Sequence, residues 1–240
     1  MDNIVDVLVI GSGAAGSAAA LQAHADGASV VILEKSGPDS AGGNTRLSGS
    51  GWFVNQDPAA ARTFLRSLNG EFPVAEDVID AWAENTHGLS DWIRSLGATV
   101  AMTGDFHSTA EFAELDGSSC YAGMDTVEGK MGNELLYRFL VSALAERGVT
   151  TLFDTEATGL LTDESGAVTG VEIRSGEKTS QIQARRGVIL ATGGFEANPT
   201  MVRDYLRLEN PKIWGSPSAT GDVTAWHRPW APVKSISAWA

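Results

Sequence analysis

The chain has 240 residues, 43% hydrophobic and 20% charged, ordinary values for a globular protein with a sizeable core. Its formal net charge of −13 argues against a nucleic-acid partner, whose phosphates it would repel. No apolar run reaches the roughly 18 residues of a membrane span, and no basic segment precedes the first apolar stretch as in a signal peptide. One cysteine, Cys120, allows no internal disulfide and no cysteine metal cluster, so no metal site and a cytoplasmic setting are expected.

The first 35 residues read as strand, glycine turn, helix and strand. Ile4 to Ile10 is a nearly continuous β-branched run with Asp6 as its one charge, as expected of a parallel strand buried on both faces. Gly11, Ser12, Gly13, Ala14, Ala15 and Gly16 follow at once and open an alanine-rich helix that ends near Asp26 and Gly27. A second strand, residues 29–33, stops at Glu34 and Lys35. The arrangement suits a dinucleotide. Gly11 allows the tight turn, Gly13 lets backbone approach a pyrophosphate, and Gly16 lets helix and strand pack closely. The N–H groups at the helix start attract phosphate, and Glu34, 18 residues beyond Gly16, sits where a ribose acceptor belongs.

Residues 37–51 turn to Gly, Ser, Asn and Thr without periodicity and read as a long loop suited to a flat, polar ligand. Asp57 and Pro58 cap a short helix carrying Phe64, Leu65 and Leu68. A longer helix over residues 74–96 places Val78, Ile79, Trp82, Leu89, Trp92, Ile93 and Leu96 on one side. Trp82 and Trp92 read as core anchors and His87 as a polar-face residue. Residues 98–127 lack a period, and His107 there has no adjacent nucleophile or metal partner and reads as solvent-exposed.

Residues 132–147 form an amphipathic helix with Gly148 past its end. Strands are expected over residues 149–154, 159–162, 167–174 and 180–184, with hairpin turns at 163–166 and 175–176. Residues 187–190 read as a further buried parallel strand ending in Ala191, Thr192, Gly193 and Gly194, where open α/β sheets bind ligands. Asn198 and Pro199 cap a helix to about Leu208.

Four stretches together carry a family resemblance: Gly11 to Gly16 with Glu34, residues 42–51, residues 188–198, and the Gly-Ser-Pro-Ser-Ala-Thr-Gly-Asp run from Gly215 to Asp222. The chain resembles the flavoprotein subunits of the fumarate reductase and succinate dehydrogenase family. Soluble relatives there include fumarate and urocanate reductases, tricarballylate dehydrogenase and ketosteroid dehydrogenases. The resemblance implies an α/β fold: a Rossmann-like FAD-binding domain with a parallel sheet, added helices and a β-meander, incomplete relative to the family.

It also implies FAD as cofactor. Ala15 and Glu34 would hold the pyrophosphate turn and the ribose, with Lys35 and Gly43 in the same cofactor-binding set. Asn44, Thr45, Gly49, Ser50 and Gly51 would lie along the pyrophosphate and the flavin ring. Ala157 would meet adenine through its backbone, Ala191, Thr192 and Gly193 would close over the cofactor, and Asp222 would mark the chain's return to it. The implied chemistry is hydride transfer between flavin N5 and a C–C bond of a small, carboxylate-bearing substrate. The family's proton-carrying arginine and its substrate clamps lie in a cap domain and beyond Asp222, so no catalytic residue is assigned. Arg46, Tyr121 and His107 are merely available polar groups.

Residues 1–222 are thus expected to be the N-terminal part of an FAD-binding domain. Residues 223–240 hold three of the seven tryptophans, Trp226, Trp230 and Trp239, in no helical or strand pattern. They are expected to be a frameshifted reading, since one base restored after the Asp222 codon permits the family's Gly, Met-Ala and Gly positions. A catalytically inactive flavin-binding fragment, an NAD-dependent dehydrogenase and a ketosteroid-type dehydrogenase stand as alternatives.

Overall fold

A computed structural model describes residues 4–103, 110–209 and 211–226. The chain divides into two compact units, one comprising Met1–Leu47 and Leu140–Ala240, the other Ser48–Phe139.

The first unit is built on strand β1 (Ile4–Ile10), helix α1 (Ala14–Ala25) and strand β2 (Val30–Leu33), at close to their expected bounds. β1 and β2 pair in parallel, from Val7 opposite Val30 to Ile10 opposite Leu33. Leu8, Ile10 and Leu33 are buried in the core with Val171, Ile173 and Ile182. The Asp6 carboxylate within β1 accepts the Ser29 amide at 2.9 Å and the Ser29 hydroxyl at 2.8 Å. These bonds hold its carboxyl below the usual carboxylate value. A depressed folded pKa contributes stability above the ordinary value of 3.8, lost as pH falls through the lower folded value. Asp6→Asn is therefore expected to flatten the pH dependence of unfolding below that value while leaving its shape near neutrality unchanged, as read by denaturant melts in acid.

The later strands complete a six-stranded sheet in the order β6-β2-β1-β9-β8-β7. β6 (Thr150–Leu152) and β7 (Glu156–Thr162) are split by Asp154, whose φ of 49° turns the chain earlier than the expected strand over 149–154. β8 (Val168–Ser175) leads into β9 (Lys178–Leu190), and here the sequence reading needs correction. The expected strands 180–184 and 187–190 are one continuous strand. Its first half pairs antiparallel with β8 and its second half parallel with β1. Arg185 and Arg186 mimic a boundary because the pairing with β1 slips there by one residue, from Val5 opposite Ala184 to Val7 opposite Gly187, and the strand is uncovered: Arg185 is exposed and meets Asp6 at 3.4 Å.

The expected loop over residues 37–51 also contains a short helix, α2 (Gly43–Leu47), and the start of strand β3 (Gly51–Asn55). The expected helix to Leu208 is instead a single turn, α6 (Pro199–Met201), followed by a π-turn over Val202–Leu206 and left-handed Arg207. Asn198 does cap it, accepting the Met201 amide at 3.1 Å. Helix α7 (Asp222–Trp226) opens the segment expected to be aberrant; Trp226 packs on the sheet's core, and residues 227–240 lie outside the described residues.

The second unit pairs helices α3 (Pro58–Asn69) and α4 (Glu76–Ser95) with an antiparallel sheet in the order β3-β5-β4, where β4 is Val100–Met102 and β5 is Tyr121–Val127. Asp57 caps α3, accepting the Ala59 and Ala60 amides. Gly123, Asp125 and Thr126 hid β5 from a hydrophobic-period reading, although Asp125 and Thr126 are buried. Trp82 packs beside Phe64 and Cys120, and Trp92 beside Trp52 and Ile93, as core anchors. Val78, expected on the inner face, is 53% exposed, as is Leu68 at 40%. Helix α5 (Leu135–Glu146) carries the chain back to the first unit. Among the described residues no helix is long and apolar enough to cross a membrane, and no group of three or more metal-ligating side chains forms.

Candidate functional site

The carboxyl ends of β1, β2 and β9 open on a cavity of about 410 Å3 in the first unit. The chain is drawn together there by backbone hydrogen bonds. The Gly11 amide donates to the Leu33 carbonyl at 2.8 Å and the Ala191 amide to the Ile10 carbonyl at 2.9 Å. Gly11 has φ 101°, and a Cβ there would strike the Ala191 carbonyl, so the turn requires glycine twice over. Gly16 presses on the Gly11 carbonyl in the same way.

Helix α1 begins at the cavity with Gly13 as its N-cap and no side chain from that cap closing its first turn. Thr45, brought in by α2, accepts the Ala14 amide on its hydroxyl at 2.8 Å. A Cβ on Gly13 would fill the space facing that hydroxyl and the Gly42 carbonyl, at 3.4 and 3.5 Å. Neighbouring Asn44 is a crosslink: its carbonyl accepts the Ser216 amide at 2.7 Å while its amide donates to Glu196.

Glu34 ties the site together. The residue is buried, 7% exposed. One carboxylate oxygen accepts both the Ser12 amide at 3.0 Å and the Ser12 hydroxyl at 2.6 Å, and the other accepts the Ser36 amide at 2.9 Å. Its backbone pairs with the end of β6 and the chain just after it, donating to Leu152 and accepting from Thr155, each at 2.9 Å. Ser12 therefore turns its hydroxyl to Glu34, which a reading of the glycine turn alone does not show. Next along the chain, the Lys35 ammonium donates to Thr220 Oγ1 at 2.7 Å and to Asp222 Oδ2 at 2.8 Å.

Of the residues singled out from sequence, Gly11, Ser12, Gly13, Ala14, Ala15 and Glu34 line the cavity. So do Lys35, Gly43, Asn44, Thr45, Ala157 and Ala191, together with Thr192, Gly193 and Asp222. Gly16 acts from behind the turn. Gly49, Ser50 and Gly51 lie in the second unit. There a Cβ on Gly49 or Gly51 would meet Met131 or Met124 at 2.6 Å. Ser50 is fully buried with φ 64°, and its hydroxyl has no partner among the described residues.

Arg46 spends its guanidinium on the Pro38 and Ala41 carbonyls. Tyr121 packs on Phe53 at 5.2 Å between ring centroids, and burial, then Glu111, pushes its phenol up. His87 is exposed with Nδ1 2.8 Å from the Asn55 carbonyl, and His107 lies outside the described residues. Thr155, Ser218, Ala219 and Trp226 also line the cavity and were not singled out. The Ser-Ala-Thr-Gly-Asp run signalled two of them; nothing local signalled Trp226.

Residues 6–233 match the profile of a family described as FAD binding domain. The chain belongs to that family. Among the relatives of this FAD binding domain, urocanate reductase of Eggerthella lenta is 30% identical over 91% of the chain and 36% of its own length. The 3-oxosteroid 1-dehydrogenase of Mycobacterium tuberculosis is 29% identical over 90% of the chain and 52% of its own length. A solved 3-ketosteroid-delta4-(5alpha)-dehydrogenase of Rhodococcus jostii RHA1 superposes with a TM-score of 0.77 at 26% identity, over 94% of this chain and 53% of that one. The chain thus spans between about a third and about half of these relatives' length.

FAD is the cofactor of this family, and the cavity fits it. Its volume lies within the roughly 300–1,000 Å3 of ligand pockets. A side chain at Gly13 would fill the cradle, the helix start offers amides suited to phosphate, and a buried carboxylate stands at the tip of β2.

Proposed function

We propose that the chain supplies the FAD-binding part of an oxidoreductase acting on a C–C bond of a small, carboxylate-bearing substrate. The observation that carries this reading is the cavity where Gly13, the start of α1 and Glu34 converge at the ends of β1, β2 and β9. The α1 start and Gly13 hold the pyrophosphate, and Glu34 accepts the ribose hydroxyls. Thr155 and Ala157 present backbone to adenine, while Ala191, Thr192 and Gly193 form the wall opposite. When bound, FAD supplies hydride transfer at flavin N5. The chain's own residues bind and orient it, and none is assigned a proton. Residues 1–222 are then the N-terminal part of the domain, and a cytoplasmic setting follows from the single cysteine.

Relatives named urocanate reductase and acrylate reductase flavoprotein subunit favour an unsaturated carboxylate. The superposition on a ketosteroid dehydrogenase supports a steroid as the second reading. Protein purified with excess FAD is expected to retain it stoichiometrically, with the absorbance of bound flavin. Retention of NAD in place of FAD would overturn the cofactor reading. Oxidation of a reduced viologen by an unsaturated carboxylate, and not by a 3-ketosteroid, would support the substrate class. Turnover of the steroid alone would reverse it, and FAD retention without turnover of either would point to a non-catalytic flavin-binding fragment.

A further inference from the structure

The FAD reading, on which this inference rests, leaves a charge problem on the cavity wall. The charged residues lining it are Glu34, Lys35, Glu156 and Asp222, three carboxylates and one cation. A pyrophosphate brought among them needs the carboxylates neutralised or turned to donors. Glu34 meets that need through Ser12 and Ser36, and Glu156 through Arg174 at 2.5 Å. Asp222 has another solution. Its Oδ1 accepts the Thr220 hydroxyl at 2.7 Å and its Oδ2 pairs with Lys35 at 2.8 Å. The two ion-paired side chains are 26% and 22% exposed, so the pair is screened less than a surface one.

We propose that Lys35 is a positioning residue that serves FAD binding through Asp222 and Thr220, not by direct contact with phosphate. Both described partners of its ammonium belong to the strap of residues 216–222. That strap contributes Ser218, Ala219, Gly221 and Asp222 to the cavity wall. Its other described ties lack an ion pair: the Ser216 amide to Asn44 at 2.7 Å, the Ala197 amide to the Ala219 carbonyl at 2.9 Å, the Gly221 amide to the Gly194 carbonyl at 3.1 Å, and the Asn198 side-chain amide to the Thr220 carbonyl at 3.1 Å. Lys35 is the strap's charged tie, and it neutralises the carboxylate that would otherwise repel the cofactor. The Glu34-Lys35 dipeptide at the tip of β2 thus does two jobs. Glu34 faces the ligand, and Lys35 holds the wall.

The test is a double-mutant cycle read by FAD titration, with thermal melts of each apo protein confirming the fold. Lys35→Met is expected to weaken FAD about tenfold in the parent, but less than about twofold in the Asp222→Asn background, where Lys35 has lost the carboxylate it neutralises. Lys35→Arg, which keeps the charge, should retain most of the affinity. An equal loss in both backgrounds would show direct contact with phosphate and overturn the proposal, as would no loss in either. If Lys35→Met fails to fold, Lys35→Gln takes its place in the cycle. Failure of the parent to bind FAD would overturn the cofactor reading and this proposal together, whereas uncoupled variants of an FAD-binding parent overturn this proposal alone.

Discussion

Glu34→Ala is expected to weaken FAD binding about ten- to a hundredfold, the equivalent of one charge-assisted hydrogen bond at roughly 1.5–3 kcal/mol. The structure adds a second effect. The carboxylate also satisfies the Ser12 and Ser36 amides and the Ser12 hydroxyl, and Ser12 is 2% exposed. Alanine leaves the buried Ser12 donors and the part-buried Ser36 amide without their acceptor, so the apo protein should lose roughly 1–3 kcal/mol of stability. Ser12→Ala separates the two effects. It deletes one bond and leaves the carboxylate, so it should cost about 1 kcal/mol of stability with little change in FAD affinity. Denaturant melts and flavin titrations of both variants, with His87→Ala as the reference, check this. Undiminished FAD retention by Glu34→Ala would remove Glu34 from the site.

Gly16→Ala is the second large effect, and helix propensity points the wrong way for it. In a helix interior alanine is favoured over glycine by about 1 kcal/mol. At Gly16 the new methyl would collide with the Gly11 carbonyl oxygen and stand 3.2 Å from the Ala191 Cβ. The colliding atom is backbone in the turn that shapes the cavity, so α1 must move away as a body. A net loss of about 1–3 kcal/mol is expected, together with loss of FAD binding. Gly88 in α4 is the control, because a Cβ there meets nothing within 4 Å. Gly88→Ala should therefore stabilise by about 0.5–1 kcal/mol. Melting curves of the two variants should shift in opposite directions; a stabilised Gly16→Ala would mean the turn is far more pliable than the packing implies.

By itself the sequence determined β1, the glycine turn, α1 and β2 nearly to the residue. Of the cavity's lining it marked Gly11 to Ala15 and Glu34 in the same way, whereas the family resemblance added Asn44, Thr45, Ala157, Ala191 to Gly193 and Asp222. These features are local: a β-branched run, a turn needing glycine and an acidic residue at a set distance all leave their mark within 35 residues. Tertiary structure decided the rest. The Lys35 and Asp222 pair spans 187 residues, and no periodicity records which ammonium meets which carboxylate. The same holds for the Ser12 hydroxyl, which faces Glu34, and for the Thr45 hydroxyl, which caps α1 from another element. β9 looked like two strands because Arg185 and Arg186 stand uncovered where its pairing with β1 slips by one residue, although the strand itself continues from β8 to β1 through that bulge. β5 was missed for the converse reason. Its Asp125 and Thr126 are buried polar residues, so the hydrophobic alternation that marks a strand is absent where packing, not pattern, holds it in place.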